Sequence, residues 1–130
     1  MTMEILLIAK DNALRNGFQT LLTALSTDGE VDVLADLSKL PSQFQKKSYQ
    51  FVYIYPGLPF EELLEAMRTI KQEHPQVKVV MVVEDQNQGF SARQAGADRV
   101  ILKGFSSADL MYLIQALRTE QSDSPARVTL

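Results

Sequence analysis

The sequence predicts a doubly wound α/β domain, a single five-stranded parallel sheet with helices on both faces. Five short apolar runs alternate with stretches whose apolar residues recur at helical spacing. The runs are nearly continuous in Val, Ile, Leu and aromatic residues, as expected of strands buried on both faces. The connections are long enough for helical crossovers, which keep successive strands parallel.

Glu4 to Ala9 is the first strand, carrying Ile5, Leu6, Leu7 and Ile8. Asp11 and Asn12 can cap the next helix, whose stripe is Leu14, Phe18, Leu21, Leu22 and Leu25. Gly17 inside it costs up to roughly 1 kcal/mol of propensity. Thr27-Asp-Gly-Glu30 is the break before a second strand, Val31 to Ala35. Leu37 to Lys47 holds a weak helix, with Pro41 near its start and Leu40 and Phe44 facing in. Gln50 to Tyr55 is the central strand, stopped by Pro56-Gly57. Pro59 precedes an amphipathic helix through Glu73 that carries Phe60, Leu63, Leu64, Met67 and Ile70. His74-Pro75 ends it, with the histidine expected in solvent. Val77 to Val83 is the most hydrophobic strand, and Glu84 to Gly89 reads as a polar loop, expected to be mobile. Only Phe90 to Ala95 is left for a short helix before Gly96. Val100 to Leu102 is the last strand. Ser106, with Asp109 three residues on, opens a helix from Ser107 to about Arg118 that buries Leu110, Leu113, Ile114 and Leu117. Residues 1–120 are read as one domain, and 121–130 as a flexible tail or the start of a linker. No strand-to-helix turn is glycine-rich, so neither a dinucleotide fingerprint nor a phosphate-binding loop is present. At this size the flavodoxin-like strand order 2-1-3-4-5 fits best.

Composition narrows the function. There is no cysteine, which excludes disulfides and thiolate chemistry, and a single histidine is too few for a His-rich metal site. The net charge of -3 is too weak to imply a nucleic-acid surface. Met1 to Ala9 carries Glu4 and reads as a strand rather than a signal peptide, and no window approaches a membrane span. A cytoplasmic location is the default expectation.

In open α/β sheets chemistry gathers outside the carboxyl ends of the strands. Four such ends come together here: Lys10-Asp11, Tyr55-Pro56, Val83-Glu84 and Lys103. Ion pairs in a polar pocket, Lys10 with Asp11 and Lys103 with either acid, are the plainest reading. Binding of a small anion or other small ligand between Lys10 and Lys103 is the alternative. An enzyme built on these lysines lacks a nearby histidine or a Ser or Thr at a strand end. Tyr55 is expected to pack its ring over the pocket and hydrogen-bond through its hydroxyl.

From about Met3 to Glu120 the chain resembles the CheY-like receiver domain of bacterial response regulators, the module that takes a phosphoryl group from a histidine kinase. Asp11-Asn-Ala-Leu-Arg-Asn-Gly-Phe-Gln-Thr-Leu-Leu is similar to the first helix of receivers of the LuxR/NarL type. Ala95-Gly-Ala-Asp-Arg-Val-Ile-Leu-Lys-Gly is similar to their last strand. The resemblance implies a pair of acids holding Mg²⁺, yet Lys10 stands for the first and only Asp11 remains. Tyr55 stands for the phosphoacceptor aspartate, Val83 for a hydroxyl residue, and Val100 for an aromatic that swings on activation. Lys103 matches, Gly104 replaces a cis-proline, and Pro59 matches a loop proline. Hard Mg²⁺ wants carboxylate oxygens, and Asp11 with Glu84 among two ammonium groups serves it poorly. A phenol does not replace a carboxylate as nucleophile toward a phosphoramidate. The expectation is a pseudo-receiver with no catalytic residue, no metal and no cofactor, the regulatory module of an atypical response regulator in transcriptional control.

Function then rests on docking. Phe90, Met111 and Tyr112 are the candidate interaction face, for a protein partner or a homodimer. DNA is reached only through an effector domain not in this chain, whether the chain is a fragment of a longer regulator or stands alone.

Overall fold

The computed structural model describes residues 3–25 and 29–122. The expected turn at Thr27-Asp28, the tail from residue 123 and the side chain of Leu14 lie outside the described residues. Strands β1 (Met3–Ile8), β2 (Gly29–Leu34), β3 (Phe51–Ile54), β4 (Lys78–Val83) and β5 (Arg99–Leu102) form one sheet, ordered β2-β1-β3-β4-β5. Every pair is parallel. Helices α1 (Ala13–Leu25), α2 (Leu40–Lys46), α3 (Phe60–Glu73) and α4 (Gln86–Ala95) supply the crossovers, and α5 (Ser107–Ser122) closes the domain. The class and strand order are those expected from the sequence. Among the described residues no helix is long and apolar enough to cross a membrane.

Period-two alternation divides the sheet's side chains between two cores. Leu6, Ile8, Ile54, Met81 and Val83 pack with α2, α3 and α4. Ile5, Leu7, Ala9, Tyr53, Tyr55 and Val82 pack with α1 and α5.

The fourth helix corrects the sequence reading. Glu84 to Gly89 is not a loop, because α4 already begins at Gln86. Asp85 caps it, its carboxylate accepting from Gln88 N at 2.8 Å, and Gly96 ends it in the left-handed region at φ 115°. Leu37–Lys39 forms a separate 3₁₀ turn before α2, capped by Asp36. α5 runs past Arg118 to Ser122, while its start agrees with expectation. Ser106 N donates to Asp109 Oδ2 and Asp109 N to Ser106 Oγ, each at 3.1 Å. His74 does not stand free in solvent: its ring stacks on Phe44.

Two polar clamps hold the amino-terminal side of the sheet. Lys47 reaches Glu4 at 3.0 Å and Asp32 at 2.8 Å, and the Tyr49 hydroxyl donates to Asp32 at 2.7 Å. Across the sheet, Lys71 Nζ donates to Asp98 and to the Val77 carbonyl, both at 2.9 Å. The same Asp98 oxygen accepts from Val79 N at 2.8 Å. Burial by itself would raise the Asp32 pKa. The hydrogen bonds from Lys47 and Tyr49, with the Lys47 charge, outweigh it and hold the carboxyl below its ordinary value.

A depressed folded pKa contributes stability above the unfolded value, about 3.9 for an aspartate, and loses it as pH falls through the folded value. Asp32→Asn should therefore flatten the acid limb of the stability curve below about pH 4, read by urea unfolding between about pH 2 and pH 6. The glycines of α1 and α4 give a second test. A Cβ on Gly17 meets open space, whereas one on Gly89 would lie 3.3 Å from Val100 Cγ1. Gly17→Ala should gain about 0.5–1 kcal/mol from helix propensity. Gly89→Ala should gain less or lose stability in the same denaturant assay.

Candidate functional site

Parallel strands bring the carboxyl ends of β1, β3, β4 and β5 to one edge. The last β1–β3 pair is Ile8 with Ile54, and Tyr55 N donates to Ile8 O at 2.9 Å. Ala9 and Tyr55 are thus the first residues beyond these strands, side by side and both buried. Lys10 follows, exposed, and makes no hydrogen bond or ion pair among the described residues. Its stem lies against Gly57, where φ is +141° and an added Cβ would come within 3.2 Å of Lys10 Cβ. Asp11 is the third residue past the strand. It turns outward and pairs with Arg15 at 2.9 Å, not with Lys10 as expected.

Tyr55 is 7% exposed, and its ring packs on Phe18 with centroids 4.9 Å apart. Phe105 also meets Phe18, edge-on at 5.8 Å. The Tyr55 hydroxyl makes no hydrogen bond to a described residue. Val83 is wholly buried, and Gly89 of α4 sits over both Val83 and Val100. Lys103 N donates to Val83 O at 2.8 Å, and its ammonium stands 3.8 Å from Glu84, one of the expected pairs.

A hard dication needs converging carboxylate oxygens. Here Asp11 is engaged by Arg15, Glu84 faces Lys103, and the residues beside Tyr55 offer a methyl group and an ammonium. This donor set does not fit Mg²⁺. Among the described residues no three His, Asp or Glu side chains gather as a metal site.

A second surface lies between α4 and β5. A groove of about 670 Å³ there is lined by Val83, Gly89, Phe90, Arg93, Val100 and Leu102. Phe90 is 65% exposed, Tyr112 76%, and Met111 and Leu102 each 43%. Sequence reasoning passed over Leu102 as an ordinary strand residue. The signal was its strand's place at the sheet edge, where one side lacks a neighbouring strand. It also missed Ala9, which strand register places beside Tyr55.

The chain matches the model of the response regulator receiver domain over residues 5–115. It belongs to that family. The receiver is the regulator-side module of two-component signalling, and such domains interact with proteins and effector domains. This receiver is 31% identical over 123 residues to the transcriptional regulatory protein QseB of Haemophilus influenzae, covering 88% of this chain and 52% of that one. It spans about half the length of that relative. A CheY-like protein, TadZ, from Pseudomonas aeruginosa superposes with a TM-score of 0.73 at 19% identity, over 98% of this chain and 100% of that one. A CheY-like receiver domain protein of Methanospirillum hungatei gives 0.77 at 21%, over 93% and 98%. An orphan response regulator of H. pylori gives 0.70 at 23%, over 88% and 95%. At these identities the solved structures establish the shared fold.

The Tyr55 geometry separates ring from hydroxyl. Tyr55→Phe should change stability by no more than about 0.5 kcal/mol, while Tyr55→Ala should cost about 3–5 kcal/mol. Equilibrium unfolding of both variants checks this.

Proposed function

We propose that this receiver signals without phosphotransfer, as the interaction module of an atypical response regulator in transcriptional control. The observation that carries the reading is the buried phenol at the end of β3. Tyr55, where the family resemblance calls for an aspartate, is committed to packing on Phe18 and has Ala9 as its neighbour, while Lys10 and Asp11 stand for the acidic pair. Val83 and Val100, at the positions of the hydroxyl and the swinging aromatic, fill the space under Gly89 with methyl groups. This packing favours one arrangement of α4 on β5. Output then comes from docking at the face of Phe90, Leu102, Met111 and Tyr112, by a protein partner or a second copy of the chain. Residues 1–120 are the receiver unit. Likeness to the transcriptional regulatory protein QseB supports a transcriptional setting. The module works as a non-enzyme, without metal, in the cytoplasm.

The test is an amide NMR titration with Mg²⁺ and then beryllofluoride, beside incubation with acetyl phosphate. No shifts are expected around Asp11, Tyr55 or Lys103, and no phosphoprotein should form. Saturable shifts at the strand ends, or an acid-labile phosphoryl group, would overturn the reading. Dilution of the same sample should move only peaks near Phe90, Met111 and Tyr112 if the partner is a second copy.

A further inference from the structure

α2 covers the sheet thinly. Leu40 and Phe44 are its apolar contacts with the core, and the exposed residues between and beyond them are Pro41, Ser42, Gln45 and Lys46. A cavity of about 210 Å³ lies between α2 and α3. Leu40 and Ile70, both buried, belong to its lining. Phe44 makes a wall, backed by the His74 imidazole at 4.4 Å between centroids and 14° between planes. A second hollow of about 220 Å³ shares this stack and reaches Tyr49, which meets Phe44 edge-on at 5.4 Å. The wall is therefore an aromatic assembly. The remaining polar lining groups are the side chains of Gln45, Thr69 and Glu73, none of which bonds to another described side chain or backbone group. No lysine or arginine lines the cavity.

We infer that this cavity binds a small flat aromatic amine, an arylalkylammonium compound of about indole size. Volume sets the size: an apolar cavity of about 150 Å³ holds benzene, so this one holds a ring with a short arm. The aromatic wall sets the shape, since the backed Phe44 ring favours a flat partner in offset or edge contact. Charge sets the arm. Glu73 is the one carboxylate in the lining and no Lys or Arg opposes it, so an ammonium is attracted and a carboxylate repelled. The site lies apart from the strand ends and from the α4–β5 groove, so it stands or falls independently of the proposed function. A bound ligand bridges α2 to α3, and the chain leaving α2 carries Lys47 of the amino-terminal clamp.

The experiment is an NMR titration of the full chain with tryptamine and, separately, with indole-3-acetate, the same ring with the opposite charge. Tryptamine should give saturable shifts at Leu40, Phe44, Thr69 and Ile70 at millimolar concentration. Indole-3-acetate should bind roughly two- to fivefold more weakly, the scale of one exposed ion pair. Glu73→Gln, an exposed change at a helix end, should erase that difference while both compounds still bind. Phe44→Ala should lose both. Absence of saturable tryptamine shifts at these residues, equal affinity of the two compounds for the unaltered chain, or an unchanged preference in Glu73→Gln would each overturn the inference.

Discussion

A strand buried on both faces can place a charge only at its ends, and the three central strands of this domain are such strands. β1, β3 and β4 run through the sheet with every described residue from Ile5 to Ile8, from Phe51 to Ile54 and from Val79 to Val83 inside. Ionised groups are pushed to the two edges, where water or a partner offsets the cost of desolvation. Asp32 is the exception, permitted because β2 is an edge strand and because Lys47 and Tyr49 both donate to its carboxylate. The same rule gathers Lys10, Glu84 and Lys103 at the carboxyl edge.

That edge keeps the family's skeleton and is packed with apolar side chains. Register sets Ala9 beside Tyr55, and Val83 and Val100 share the contact under Gly89. Each of these side chains adds apolar surface to a core. Burial of a side chain of valine size is worth about 1.5–3 kcal/mol, so the altered edge contributes to holding the domain together. The apolar groups left outside are concentrated on α4, β5 and α5.

Much of this was legible in the sequence, because continuous Val/Ile/Leu runs and helical stripes are strong signals for buried strands and amphipathic helices. The Ser106–Asp109 cap could be read directly, being local chemistry between residues three apart. α4 could not, since Gln86, Asn87, Gln88 and Gly89 make no apolar stripe and its start depends on one cap, Asp85. Pairings set by three-dimensional placement were also hidden. Asp11 prefers Arg15, one helical turn away, to its neighbour Lys10, and His74 finds Phe44 across two helices. Strand ends misjudged by a single residue were enough to hide Ala9 behind Lys10.

The two clamps make the ends of the sheet unequal. Lys47 with Glu4 and Asp32 ties the chain leaving α2 to β1 and β2, and Asp98 with Lys71 and Val79 ties the entry to β5 to α3 and β4, all on the amino-terminal side. At the opposite edge the described residues include the exposed Asp11–Arg15 pair and a 3.8 Å contact between Lys103 and Glu84. The sheet is thus bound along one margin, as the pages of a book are, with its shortest multi-partner ion pairs gathered at the spine.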